Sequence, residues 1–160
     1  MRTKWMGIAL VGALLLAAAC GGSTARLSAN RYAAAASGVC ARGNRDVARL
    51  QRPARGHPGA MQSYVVRVVA VHRLSVDELR ELRPPKQFDS LTKSWIALVD
   101  QSLDELDAMR DAMRTRDHTD ARAYAQRAEL LTRRASEIVH PYRITSCQVP
   151  DFTLSAAQQS

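Results

Sequence analysis

Among the side chains able to do chemistry in this chain, the three cysteines carry the clearest signals, and Cys20 comes first. It closes the run Ala17-Ala18-Ala19-Cys20-Gly21. Ahead of that run, Trp5 to Ala19 holds no charged residue, and Arg2 and Lys4 supply a basic start. A basic start, an apolar stretch and a small-residue cleavage site make a bacterial secretory signal. Cleavage before Cys20 leaves its sulfur at a new N-terminus, ready for acylation. Residues 1–19 then read as a lipoprotein signal peptide, and palmitate-type chains on Cys20 form the anchor. Each buried methylene of such a chain adds about 0.8 kcal/mol to membrane attachment.

Two other readings of this segment stand beside the first. The 15 residues Trp5–Ala19 fall short of the roughly 20 that a helix needs to cross a bilayer core. An ordinary cleaved signal would leave Cys20 as an odd thiol in an oxidising space. Lipidation uses Cys20, although Ala17 stands where such signals more often carry Leu. Cys40 and Cys147 remain as an even pair, which export should join as a disulfide. Their separation lacks the Cys-x-x-Cys spacing of redox motifs. Closing a loop of about 100 residues stabilises by up to roughly 4.7 kcal/mol in the chain-entropy model.

Four other groupings invite a chemical reading. Asp100, Asp104, Asp107 and Asp111 recur at helical spacing, one carboxylate stripe able to offer the oxygen ligands that hard cations prefer. A row on a rigid helix does not converge on a point, and Arg110 and Arg114 lie within pairing distance. The stripe therefore meets the basic half of the chain, water, or a cationic partner; it is the candidate interaction stripe. Glu137 and His140 have the spacing of a di-iron ligand pair, but no second Glu-x-x-His occurs. Met109 and Met113 lie one turn apart on a leucine stripe and read as core filling rather than copper ligands. His57, His72, His118 and His140 are scattered. Neither a phosphate loop, a nucleophile elbow nor a zinc spacing is present. No catalytic residue, metal ligand or cofactor is expected.

The elements that must carry these residues are helices. The first reads from about Asn30 to Gln51, with Tyr32, Ala36, Cys40, Gly43, Val47 and Leu50 on one stripe. The second ends near Leu82, where Arg83-Pro84-Pro85 stops it. A third is expected from about Phe88 to Arg116. The fourth has a seam at Ala121, Tyr124, Ala128, Leu131, Ala135, Ile138 and Tyr142, and Asp117 or Thr119 as its cap. Short connections between four helices predict an all-α, up-down-up-down four-helix bundle. The expected organisation is a signal at 1–19, a flexible tether at 20–29, the bundle at 30–150 and a disordered tail at 151–160.

Charge is uneven along the chain. Two of its 23 basic residues and none of its 15 acidic ones precede Cys20, so the part from Cys20 onward carries +6. Residues 26–86 alone carry +8, and residues 87–142 carry −2. A basic face suits anionic headgroups, at about 1 kcal/mol per nearby cation. Nucleic acid is disfavoured, because the few aromatics are spaced like core residues and do not alternate with cations.

In layout the chain resembles a loose group of small helical lipoproteins and secreted proteins of actinobacterial type, for which no catalytic residues are established. The resemblance spans about residues 30–148. It rests on Cys40, on Leu79-Arg80-Glu81-Leu82-Arg83-Pro84-Pro85, on Trp95, and on Ile144-Thr145-Ser146-Cys147. The group tends to end its last helix Gly-Leu, where this chain has Arg143-Ile144. The resemblance implies a helical bundle and no catalytic machinery. The expectation is a non-enzymatic, membrane-anchored bundle on the extracytoplasmic face, serving as a binding or structural module. Its partners would be the membrane and an envelope protein, anionic lipid or cell-wall polymer. The alternative is a ligand- or metal-sensing bundle that uses the aspartate stripe or His140.

Overall fold

The computed structural model describes residues 25–54 and 57–147. The expected signal peptide at 1–19, Cys20, the first part of the expected tether and the expected tail at 151–160 lie outside the described residues. Four helices run α1 (Ala29–Arg49), α2 (Pro58–Glu81), α3 (Asp89–Arg114) and α4 (His118–Val139). Short 3-10 turns occupy Lys86–Phe88, His140–Tyr142 and Thr145–Cys147. None of the described helices is long and apolar enough to cross a membrane.

Local chemistry sets the helix ends. Ser28 caps α1, its hydroxyl accepting from the Arg31 N–H. Pro58 enters α2 in the first turn, where no intrahelical donor is missed. Leu82 turns extended before Pro84-Pro85 and ends α2. Of the two candidate caps for α4, Asp117 does the work, accepting from the Asp120 N–H at 2.9 Å. Arg116 just before it takes a left-handed turn at φ 61°, and Pro141 closes the far end.

Consecutive helices run antiparallel. Arg42 pairs with Glu78, Arg80 with Asp100 and Arg127 with Glu105, so numbers rise along one helix as they fall along the next. The core has two parts. One cluster joins Tyr32, Ala36 and Val39 of α1 to Leu79, Trp95, Val139 and Ile144. The other, around Val65, Val69, Leu103, Leu106, Met109 and Ala125, contains no residue of α1. α1 therefore covers only one end of the bundle, and α2, α3 and α4 enclose the other.

The expected stripes hold with one rotation. On α4 the buried positions are Ala121, Ala125, Ala128, Ala135 and Val139, while Tyr124, Leu131 and Ile138 are half-buried. Tyr142 lies beyond the helix, in the 3-10 turn, and is 36 % exposed. The smallest side chains face α3 and let its backbone approach, which moves the larger ones to the flanks. The same close approach brings Ser102 of α3 into a buried polar contact. Its hydroxyl donates to the Ala128 carbonyl at 3.0 Å and meets Thr132 Oγ1 at 2.8 Å.

Candidate functional site

Cys40 and Cys147 are joined, with 4.9 Å between their Cα atoms and 107 positions between them in the chain. The segment that carries Cys147 is held on α1 by more than the bond. Ile144 is fully buried, and Asn44 Nδ2 donates to the Ser146 carbonyl at 2.8 Å. Cys147 Sγ lies 3.4 Å from the Ala36 carbonyl oxygen. The chain past α4 thus folds back over the middle of α1.

The aspartate stripe is engaged inside the molecule. Arg80 reaches Asp100 at 2.6 Å and also Asp77 at 2.7 Å. Arg73 bridges Asp104 at 3.0 Å and Asp107 at 2.9 Å. Arg110 binds Asp107 at 2.6 Å and Asp111 at 3.0 Å. Arg73 and Arg80 are two turns apart on α2, as Asp107 and Asp100 are on α3, and the antiparallel course brings both pairs into register. Three members of the row expected as an interaction stripe, Asp100, Asp104 and Asp107, form a ladder of ion pairs with α2, and Asp111 pairs with Arg110 of its own helix. Such exposed pairs contribute about 0–1 kcal/mol each.

The remaining groupings stay apart. Among the described residues, no three His, Cys, Asp or Glu side chains are placed to share a metal ion. Glu137 and His140 are both exposed, and the His140 N–H is used in closing α4 on the Ser136 carbonyl. Met109 is buried and Met113 half-buried against the leucines, valines and alanines of the second cluster. His72 is half-buried on α2, and that burial holds its imidazole below the ordinary histidine value.

Chemistry that the periodicity did not point to gathers where the chain enters the bundle. The Leu27 N–H donates to the Arg83 carbonyl at 2.9 Å. Arg26 Nη1 donates to the Pro84 carbonyl at 3.0 Å and to Asp89 Oδ1 at 2.5 Å. Arg26–Ser28, expected within the tether, are thereby held against the junction of α2 and α3. The hydrogen bond from Arg26 keeps the Asp89 carboxyl below the usual carboxylate range, and the nearby Lys93 and Lys86 add to the effect. Behind this junction the buried Tyr32 hydroxyl meets Thr92 Oγ1 at 3.1 Å, and burial raises the phenol's pKa. Phe88 packs edge-on against Tyr32 at 6.2 Å and against Tyr142 at 4.8 Å. Trp95, 1 % exposed, has an indole N–H with no acceptor among the described residues. The diproline was the one signal for this junction; the pairing of Arg26 with Asp89 spans 63 positions and leaves no local trace.

The chain matches no family model, no curated protein and no solved structure.

Proposed function

We propose that this chain is a lipid-anchored extracytoplasmic protein whose four-helix bundle acts as a binding or structural module at the membrane surface. In this reading residues 1–19 are removed, the Cys20 sulfur is acylated, and the bundle carries no catalytic site. The Cys40–Cys147 bond is the observation that carries it. Disulfides persist in oxidising compartments, and pairing these two sulfurs leaves Cys20 for a different use. The fixed entry of the chain at Arg26 and Leu27 supports the same reading, since a bundle held on an acylated Cys20 would begin only a few residues after it. The layout shared with small helical lipoproteins of actinobacterial type agrees with it.

The test is the mass of the N-terminal peptide of the protein isolated from its own membranes. A chain that begins at Cys20 with acyl groups on its sulfur is expected. An unprocessed start, or an unmodified Cys20 thiol in a protein found in the soluble fraction, would refute the proposal. Cys20→Ser should abolish acylation and release the chain from the membrane fraction or stall its processing.

A further inference from the structure

The charges of the bundle are sorted by height. Across its middle (residues 42–45, 67–80, 100–107 and 127–134), eight basic side chains face seven acidic ones. The end formed by the α1–α2 connection and the α3–α4 corner carries six basic and four acidic side chains among its described residues. At the end where the chain enters, Arg26, Arg31, Arg83, Lys86, Lys93 and Arg143 stand against Glu81, Asp89 and Glu137, a net of +3. Half of the +6 carried by the described residues is therefore gathered on this one end.

Contacts across the junction gather the segments that carry these groups at one end. Arg26 and Leu27 bond to residues 83, 84 and 89, and Tyr142 packs on Phe88. Arg31, Arg83, Lys86 and Arg143 are exposed, and Arg143 leaves the last 3-10 turn through a left-handed bend at φ 59°. Tyr142 adds an exposed aromatic edge, a side chain enriched where proteins meet the headgroup layer.

Chain length brings this end close to the membrane. Arg26 is fixed to the junction, so only the six steps from Cys20 to Arg26 separate an acylated sulfur from the basic face. Fully extended, that is about 20 Å. The opposite end of the 24-residue α2 is about 36 Å further away. The tether thus lets the basic face come within the screening length of the leaflet, about 8 Å in physiological salt. We propose that the end of the bundle bearing Arg31, Lys86, Arg143 and Tyr142 docks on the anionic phospholipid headgroups of the leaflet that holds the anchor. The inference deepens the functional reading above and rests on acylation at Cys20.

Hydrogen exchange on the purified full chain, held by its own anchor in vesicles, tests it. Exchange at residues 86–89 and 142–144 should be slower in phosphatidylglycerol-containing vesicles than in phosphatidylcholine alone, and added salt should erase the difference. Each cation removed should lower the docked-to-undocked ratio about fivefold. The triple variant Arg31→Gln, Lys86→Gln, Arg143→Gln should therefore lower it about a hundredfold. A control at the other end, Arg114→Gln with Arg122→Gln, should leave it unchanged. Equal exchange in the two vesicle types overturns the docking, as does equal loss in the control. Slowing by a soluble anionic wall polymer, with none from vesicles, also overturns it. The mass of the N-terminal peptide from the same sample separates the two proposals. If Cys20 carries no acyl group, the anchor fails, and salt-sensitive co-sedimentation with phosphatidylglycerol vesicles then decides docking alone.

Discussion

Gly43 of α1 lies so close to Ser75 of α2 that a methyl group built on the glycine would collide with the serine hydroxyl. The glycine is buried and helical, and the Ser75 hydroxyl donates to the Val71 carbonyl at 3.2 Å. Glycine in a helix interior costs about 1 kcal/mol relative to alanine, so contact and propensity oppose each other here. Gly43→Ala alone forces the hydroxyl to rotate away and should change stability little. Combined with Ser75→Ala, which leaves only an ordinary 3.5 Å contact with the serine Cβ position, it should stabilise the protein by about 1 kcal/mol. Thermal unfolding of the single and double variants measures this. A double variant less stable than either single one would show that the helices cannot tolerate the methyl group.

Breaking the Cys40–Cys147 bond should lower stability by about 2–5 kcal/mol, because the closed loop takes in most of the described chain. The effect should not be uniform. Ile144 and the Asn44–Ser146 hydrogen bond are the other attachments of the last segment to the bundle. In Cys40→Ala, Cys147→Ala, amide exchange should accelerate first at residues 144–147, before the α3–α4 pair loosens. Uniform acceleration along the chain would contradict this order.

Trp95 combines a large buried ring with an unpaired N–H. Trp95→Ala empties the centre of the first cluster and should cost about 3–5 kcal/mol. Trp95→Phe keeps most of the ring and removes a donor whose burial without a partner costs about 1–3 kcal/mol. Its net cost should stay below about 1.5 kcal/mol. Chemical denaturation compares the two. Equal losses would mean that the indole N–H is satisfied in solution.

The depressed pKa of His72 ties stability to pH. Above the unfolded value of about 6.5 the imidazole is neutral in both states and contributes nothing to the pH dependence. Below it, the unfolded chain takes up the proton first, so stability should fall as pH drops from about 6.5 through the lower folded value. His72→Gln should flatten this part of the curve. If the slope between pH 7 and 5 survives in the variant, another group is responsible.

The amino-acid order alone determined the helical class, the four helices and most of their ends. These depend on contacts within a few residues: a polar capping corner at 117–120, a diproline stop and the period of the apolar stripes. The pairing of Cys40 with Cys147 was readable for a similar reason, because only these two cysteines remain if Cys20 is acylated. Cys20 itself lies outside the described residues. Tertiary structure decided everything that depends on how two helices meet. It turned the aspartate row into a ladder with Arg73 and Arg80, rotated the α4 seam toward its alanines, and brought Arg26 to Asp89. Periodicity gives the direction of a side chain about its own axis, but not the height or rotation of the neighbouring helix. Those are set by packing the whole core at once, which no local stretch of residues encodes.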